Sequence, residues 1–342
     1  MAEKLMLLAV LLCLAVSQVS CAPQAGGQRR RGGIGPEVTF VKSYDKVDVM
    51  MDGELFTSYL FGRELTKPVL FPVRTPSGVV VTRSYPLGER VEGESEDHAH
   101  HMGVFFTYDR VNDERFWNNK EIPPQIRHVK FKETTSGRGE GRLSVVMEWI
   151  GRNGRAVLQE DRTMVFLQGD GENIIDFGID LTALDEKVVF EDTKEGMFAI
   201  RVAHWLRERA GKEWPEGMLP TARYFSSSGD RTAKNVWARR AKWVALEGEK
   251  DGRTFGIAIL NHSSSVNYPT YWHARDYGLF SADPLGQGYF QKARKLDTCE
   301  YLNLTLEPGE KAHFGFRMIF YEGPRTKEQL ERRFAEYLGR KN

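Results

Sequence analysis

The chain has 342 residues, with 48 lysines and arginines against 47 aspartates and glutamates, a formal net charge of +1, and 41% hydrophobic residues. This is a globular composition, and its near-neutral balance gives no electrostatic reason to expect a nucleic-acid partner. Three cysteines over this length exclude a disulfide framework and a multi-cysteine metal cluster.

Residues Leu5–Val16 (LMLLAVLLCLAV) form one apolar run after Lys4, followed by the small residues Ser17, Ser20 and Ala22. The run is shorter than the roughly 20 residues a membrane-spanning helix needs and has the make-up of an export signal. Cys21 after Val19-Ser20 resembles a lipobox, although Gln18 stands where an aliphatic residue is usual. Lipidation at Cys21 and simple cleavage nearby are the two readings. We assign residues 1–21 to the signal and 22–36, with its glycines and three arginines, to a flexible tether. Residues 37–342 form a single domain in this reading. The protein is expected to be periplasmic or secreted, with a membrane contact only through a lipid at Cys21.

Strand signals dominate the domain. Lys46–Met51 and Glu54–Leu60 flank Asp52-Gly53, a strong two-residue hairpin signature. Leu143–Ile150 and Ala156–Leu167 flank Asn153-Gly154. Asn173–Leu181 reads as a further strand. Trp243–Glu247 and Thr254–Leu260 flank Asp251-Gly252. Tyr301–Leu306 and Lys311–Tyr321 flank Pro308-Gly309. One segment reads as a helix, Lys327–Leu338, with Leu330, Phe334 and Leu338 on one face, a capping box at Thr326 and Gln329, and Gly339 as its stop. Without βαβ alternation, the fold class is all-β: a large antiparallel β-sandwich with a C-terminal helix.

Three segments carry chemistry. The first, Glu96-Asp97-His98-Ala99-His100-His101, holds three of the eight histidines. If the run is extended, His98 and His100 share a face, a pair able to supply two metal ligands or a polar pocket wall. The second, Glu191–Arg201, offers Glu195 as a carboxylate base near Lys194 and Arg201, cations that keep it ionised. The third, Tyr268–Gly278, gathers Tyr271, Trp272, His273 and Arg275. Aromatic faces there would stack on sugar rings while the histidine and arginine bond hydroxyls or carboxylates. There is no GxSxG, P-loop, GxGxxG after a strand, or HExxH, so serine-hydrolase, kinase and dehydrogenase readings lack support.

Four long blocks in order resemble a known family: Leu65–Leu87, His98–Trp117, Glu191–Ala203 and Asn261–Gly286. The resemblance is to the exported bacterial proteins named PmoA-like, a family of unknown function. It implies a supersandwich like that of galactose mutarotase and a carbohydrate-active setting. The methane-oxygenase label attached to the family does not fit, since such a subunit is a membrane protein and the mature chain has no spanning segment. The family more usually has a basic residue at Met102 and tryptophan at Phe105.

The resulting expectation is an enzyme that hydrolyses, cleaves by elimination or epimerises a saccharide. Glu195 is the general base and His101 or His273 the general acid. His98, His100, Lys194, Arg201, Tyr271, Trp272 and Arg275 contact substrate. No cofactor is assigned, with a metal at His98 and His100 as a variant. The rivals are a non-catalytic glycan-binding or assembly lipoprotein and a histidine-based metal protein.

Overall fold

The computed structural model describes residues 35–169, 171–217 and 219–340. The signal, Cys21 and nearly all of the tether lie outside the described residues. Two antiparallel sheets face each other. One has nine strands, in the order Tyr271–Ala274, Leu279–Asp283, Gly196–Arg201, Val104–Tyr108, Val69–Val73, Glu54–Leu60, Lys46–Met51, Glu37–Lys42 and Gly137–Arg138. The other has eight, from Arg223–Ser226 through Trp243–Lys250, Arg253–Asn261, Lys311–Glu322, Glu172–Ala183, Ala156–Gly169 and Glu140–Ile150 to Gln125–Thr135. This is the expected antiparallel sandwich. Among the described residues no helix is long and apolar enough to cross a membrane.

Side chains from the two inner faces interdigitate. Phe198 of the nine-stranded sheet stacks on Phe316 of the other, centroids 4.4 Å apart, and meets Phe177 edge-on. Phe106 likewise meets Phe314. Period-two alternation sets what each strand sends outward. In Val104–Tyr108, Val104, Phe106 and Tyr108 enter this core, while Phe105 belongs to a separate cluster with Met102, Trp117 and Leu279. That second cluster floors the outer face on which the candidate site is built.

Three of the four expected hairpins form, the first with its expected bounds and the other two with strand ends extended by one to three residues. The fourth does not. Leu304–Leu306 pairs with Val188–Phe190, whereas Lys311–Glu322 lies between Glu172–Ala183 and Arg253–Asn261. The turn itself exists, with the Glu310 N–H donating to the Glu307 carbonyl at 2.9 Å. The chain changes sheets across it, because Lys311–Glu322 finds eleven partners along Glu172–Ala183. The helix spans Lys327–Gly339 with its capping box in place. Leu330, Phe334 and Tyr337 are buried and Leu338 is partly exposed. At 3.6 residues per turn the seventh residue, not the eighth, returns to the starting face. Gly339 lies inside the helix, and Arg340 caps it.

Candidate functional site

The histidine segment is not extended. His98 has φ of 45°, and the His101 N–H donates to the His98 carbonyl at 2.9 Å. This tight turn brings all three imidazoles together. The His98 ring lies parallel to His101 at 5.1 Å and to Tyr277 at 5.3 Å. His100 meets His101 edge-on at 4.3 Å. Beneath them, Phe105 and Trp117 pack against His101.

Two buried guanidinium groups hold this loop. Arg83 donates to the carbonyls of Ser95, Asp97, His98 and His101 at 2.7–3.1 Å, and to the Asp97 carboxylate at 3.0 Å. Arg201 donates to the same carboxylate at 2.7 Å and to the Ser95 hydroxyl at 3.2 Å. Burial works to raise the Asp97 pKa, but the His98 hydrogen bond, the Arg201 charge and the Ser95 hydroxyl outweigh it and hold the group well below the usual carboxylate range. Arg201 Nη1 stands 3.4 Å from His101 Nδ1. A guanidinium only donates, so that nitrogen accepts and the ring proton sits on Nε2.

The other walls come from distant strands. Lys194 and Glu195 precede the strand Gly196–Arg201 and are ion-paired to each other. His273 projects from Tyr271–Ala274, and Arg275 follows that strand. Together with His98, His100 and His101 they line one cleft of about 760 Å³, within the usual size range of small-molecule sites. Burial, reinforced by nearby cations, pushes His100 and His273 down to about 3 and His101 well below its ordinary value. All three imidazoles are therefore neutral at pH 7. Burial and the Arg275 charge also lower Lys194.

Three expected substrate contacts lie elsewhere. Arg201 is 1% exposed and engages Asp97 and His101 from below rather than standing beside Glu195. Trp272 is fully buried in the inter-sheet core, its Nε1 donating to the Ala241 carbonyl at 3.0 Å. Strand alternation sends His273 outward and its neighbour Trp272 inward. Tyr271 is covered by Phe290, stacked at 5.5 Å, with Arg240 over its ring. His98 and His100 stand with ring centroids 5.7 Å apart, and His98 Nδ1 is bonded to Asp97. Among the described residues no group of three or more His, Cys, Asp or Glu is arranged to hold a metal.

Residue patterns gave no role to Asp97, Arg83, Arg207, Tyr277 or Lys67. Asp97 could have been flagged by its adjacency to the histidines. Lys67 is a lone cation in the apolar run Leu65–Val73; it is fully buried, and its Nζ has no hydrogen-bond partner.

A family model matches residues 46–335. The chain belongs to the DUF6807 family. That family is described as one of unknown function, a coarser statement than the PmoA-like label the sequence blocks suggested. No curated protein matches this DUF6807 chain. It is similar in structure to the galactosidase domain of the alpha-galactosidase-sucrose kinase AgaSK, at 7% identity and TM-score 0.38, covering 83% of this chain and 40% of that one. It is similar to the GH36 alpha-galactosidase AgaB from Geobacillus stearothermophilus, at 11% identity and TM-score 0.39, covering 84% and 41%. It is also similar to a galactose mutarotase related enzyme from Lactobacillus acidophilus, at 11% identity and TM-score 0.29, covering 83% and 97%. The DUF6807 chain thus spans about 40% of the galactosidase chains. Likeness at these scores carries no functional weight.

Proposed function

We propose that this DUF6807 protein is an exported enzyme that acts on a saccharide by acid–base chemistry, through hydrolysis, elimination or epimerisation. One observation carries the reading: seven candidate side chains from three segments, between His98 and Arg275, line a single cleft. A saccharide presents hydroxyls that both donate and accept, and neutral imidazoles do the same. His100, His101 and His273, kept uncharged by burial, suit hydroxyl recognition.

The role of general acid passes away from His101 and His273, because a neutral imidazole is a poor proton donor. Glu195 serves as base. Lys194, its ion-pair partner, has its pKa lowered by burial and the Arg275 charge, which makes it the readier proton donor and the cleft's acid. Export rests on the leader, which is removed by simple cleavage or leaves Cys21 as a lipid attachment point.

The test is a panel of glycans and glycosides against purified protein, with turnover and calorimetric binding measured together. Turnover that Glu195→Gln abolishes while binding persists supports the enzyme. Binding that survives both Glu195→Gln and His273→Ala, with no turnover in any protein, makes it a glycan-binding module. Neither turnover nor binding on the whole panel defeats the saccharide reading.

A further inference from the structure

Arg207 follows the short helical turn His204–Leu206 and lines the same cleft. It is only 5% exposed. Its Nε and Nη1 are sealed from solvent without a hydrogen-bond partner. Neighbouring Arg209 pairs with Asp276, yet Arg207 forms no ion pair among the described residues. The Trp214 ring lies 5.9 Å from its guanidinium carbon. A Cβ at Gly211 would start 2.6 Å from Nη2 and equally 2.6 Å from Glu213 Oε2, so a side chain there would crowd both groups.

A buried guanidinium with unmet N–H groups is costly unless an acceptor arrives. Of the three carboxylates that line the cleft, Glu213 comes near Arg207 beside Gly211 without closing an ion pair among the described residues, and the other two are already engaged. Asp97 is held by Arg83 and Arg201, and Glu195 by Lys194. A second cation, Arg275, lines the same cleft with only the Tyr277 ring beneath it, at 5.5 Å. Its charge is felt at Lys194, the proposed acid, and at His273. Because Glu213 stops short of an ion pair, the acceptor that completes Arg207 at Nη2, the nitrogen that is not sealed, is one brought by the ligand. An oxyanion, with two or more oxygens on one centre, offers such an acceptor to Arg207 and Arg275 alike.

We infer that Arg207 and Arg275 seat an oxyanion on the ligand, so that the saccharide this cleft takes is an acidic one, bearing a carboxylate or a sulfate ester. This rests on the saccharide reading above. It adds a charge requirement that neutral sugars do not meet.

Calorimetry of the purified protein with four probes tests it: an oligogalacturonate, its methyl ester, a sulfated oligosaccharide and a neutral oligosaccharide. The expected result is that one of the two acidic probes binds at least about tenfold more tightly than the ester and the neutral sugar. The probe that does so distinguishes carboxylate from sulfate. Arg207→Gln and Arg275→Gln should each erase that preference, so that the acidic probe binds no more tightly than its uncharged counterpart. Arg275 is partly exposed, so its variant remains informative if Arg207→Gln does not fold. Equal binding of charged and uncharged probes overturns the inference and leaves the saccharide reading standing. So does a preference for acid that both variants retain. No binding of any probe overturns both.

Discussion

Lys67 offers the sharpest test of how this site is built. Its side chain is fully buried, Nζ has no hydrogen-bond partner, and the nearest favourable contact is the Phe105 ring at 5.2 Å. Burial pushes the amine from 10.5 down to about 7. At about 1.36 kcal/mol per pH unit, that gap corresponds to about 5 kcal/mol against the charged form. The direction follows from proton counting. Between pH 7 and 10.5 the unfolded chain binds the proton and the folded chain releases it, so stability rises with pH across that window. Lys67→Met keeps the length of the side chain and removes the titration. At pH 7 the variant should be more stable by up to about 4 kcal/mol, and the advantage should fade towards pH 10.5. Urea unfolding followed by tryptophan fluorescence at both pH values measures it. A variant less stable than the parent at pH 7, or an advantage equal at both, would refute the argument. Either result would mean that the ammonium is charged and satisfied in the fold.

Other substitutions separate anchoring from chemistry. Arg83→Met strips five donated hydrogen bonds from the histidine loop; it should cost about 3–5 kcal/mol and speed proteolysis between residues 95 and 101, read by mass spectrometry. Unaltered unfolding would show that Arg201 suffices alone. Trp272→Phe should cost about 1–3 kcal/mol by leaving the Ala241 carbonyl without its donor, with ligand affinity per folded molecule unchanged. A selective loss of affinity would return Trp272 to the site. With folded-state values of about 3, His100 and His273 refuse protons that the unfolded chain accepts near pH 6.5. Stability should therefore fall as pH drops from about 6.5 towards 3, and His273→Gln should flatten that slope in thermal melts. An unchanged slope would mean His273 is not held neutral.

The strands were legible where the signal is local. Asp52-Gly53 and Asn153-Gly154 combine a turn that needs φ > 0 with alternating flanks, and both hairpins form as read. Pro308-Gly309 has the same local signature, but which strand lies beside Lys311–Glu322 is decided by tertiary pairing. The histidine run failed as a strand because nothing in its residue types announces the positive φ at His98. Trp272 was within reach of sequence reasoning. Once Tyr271–Ala274 is taken as a strand, Trp272 and His273 must point to opposite faces. Arg207 was hidden in the charged stretch Arg207-Glu208-Arg209, where only burial separates an inward arginine from an outward one.

The histidine loop is fastened mainly through its own main chain, by a guanidinium that reaches it from a different segment. Apart from Asp97 and Ser95, whose side chains share in it, such a mooring does not draw on the side chains the loop displays. Replacing His98 or His100 would thus alter the chemical vocabulary of the cleft while the peptide path beneath it stayed in place. Descendants of this chain could acquire new specificities at those two positions without having to rebuild the platform that presents them.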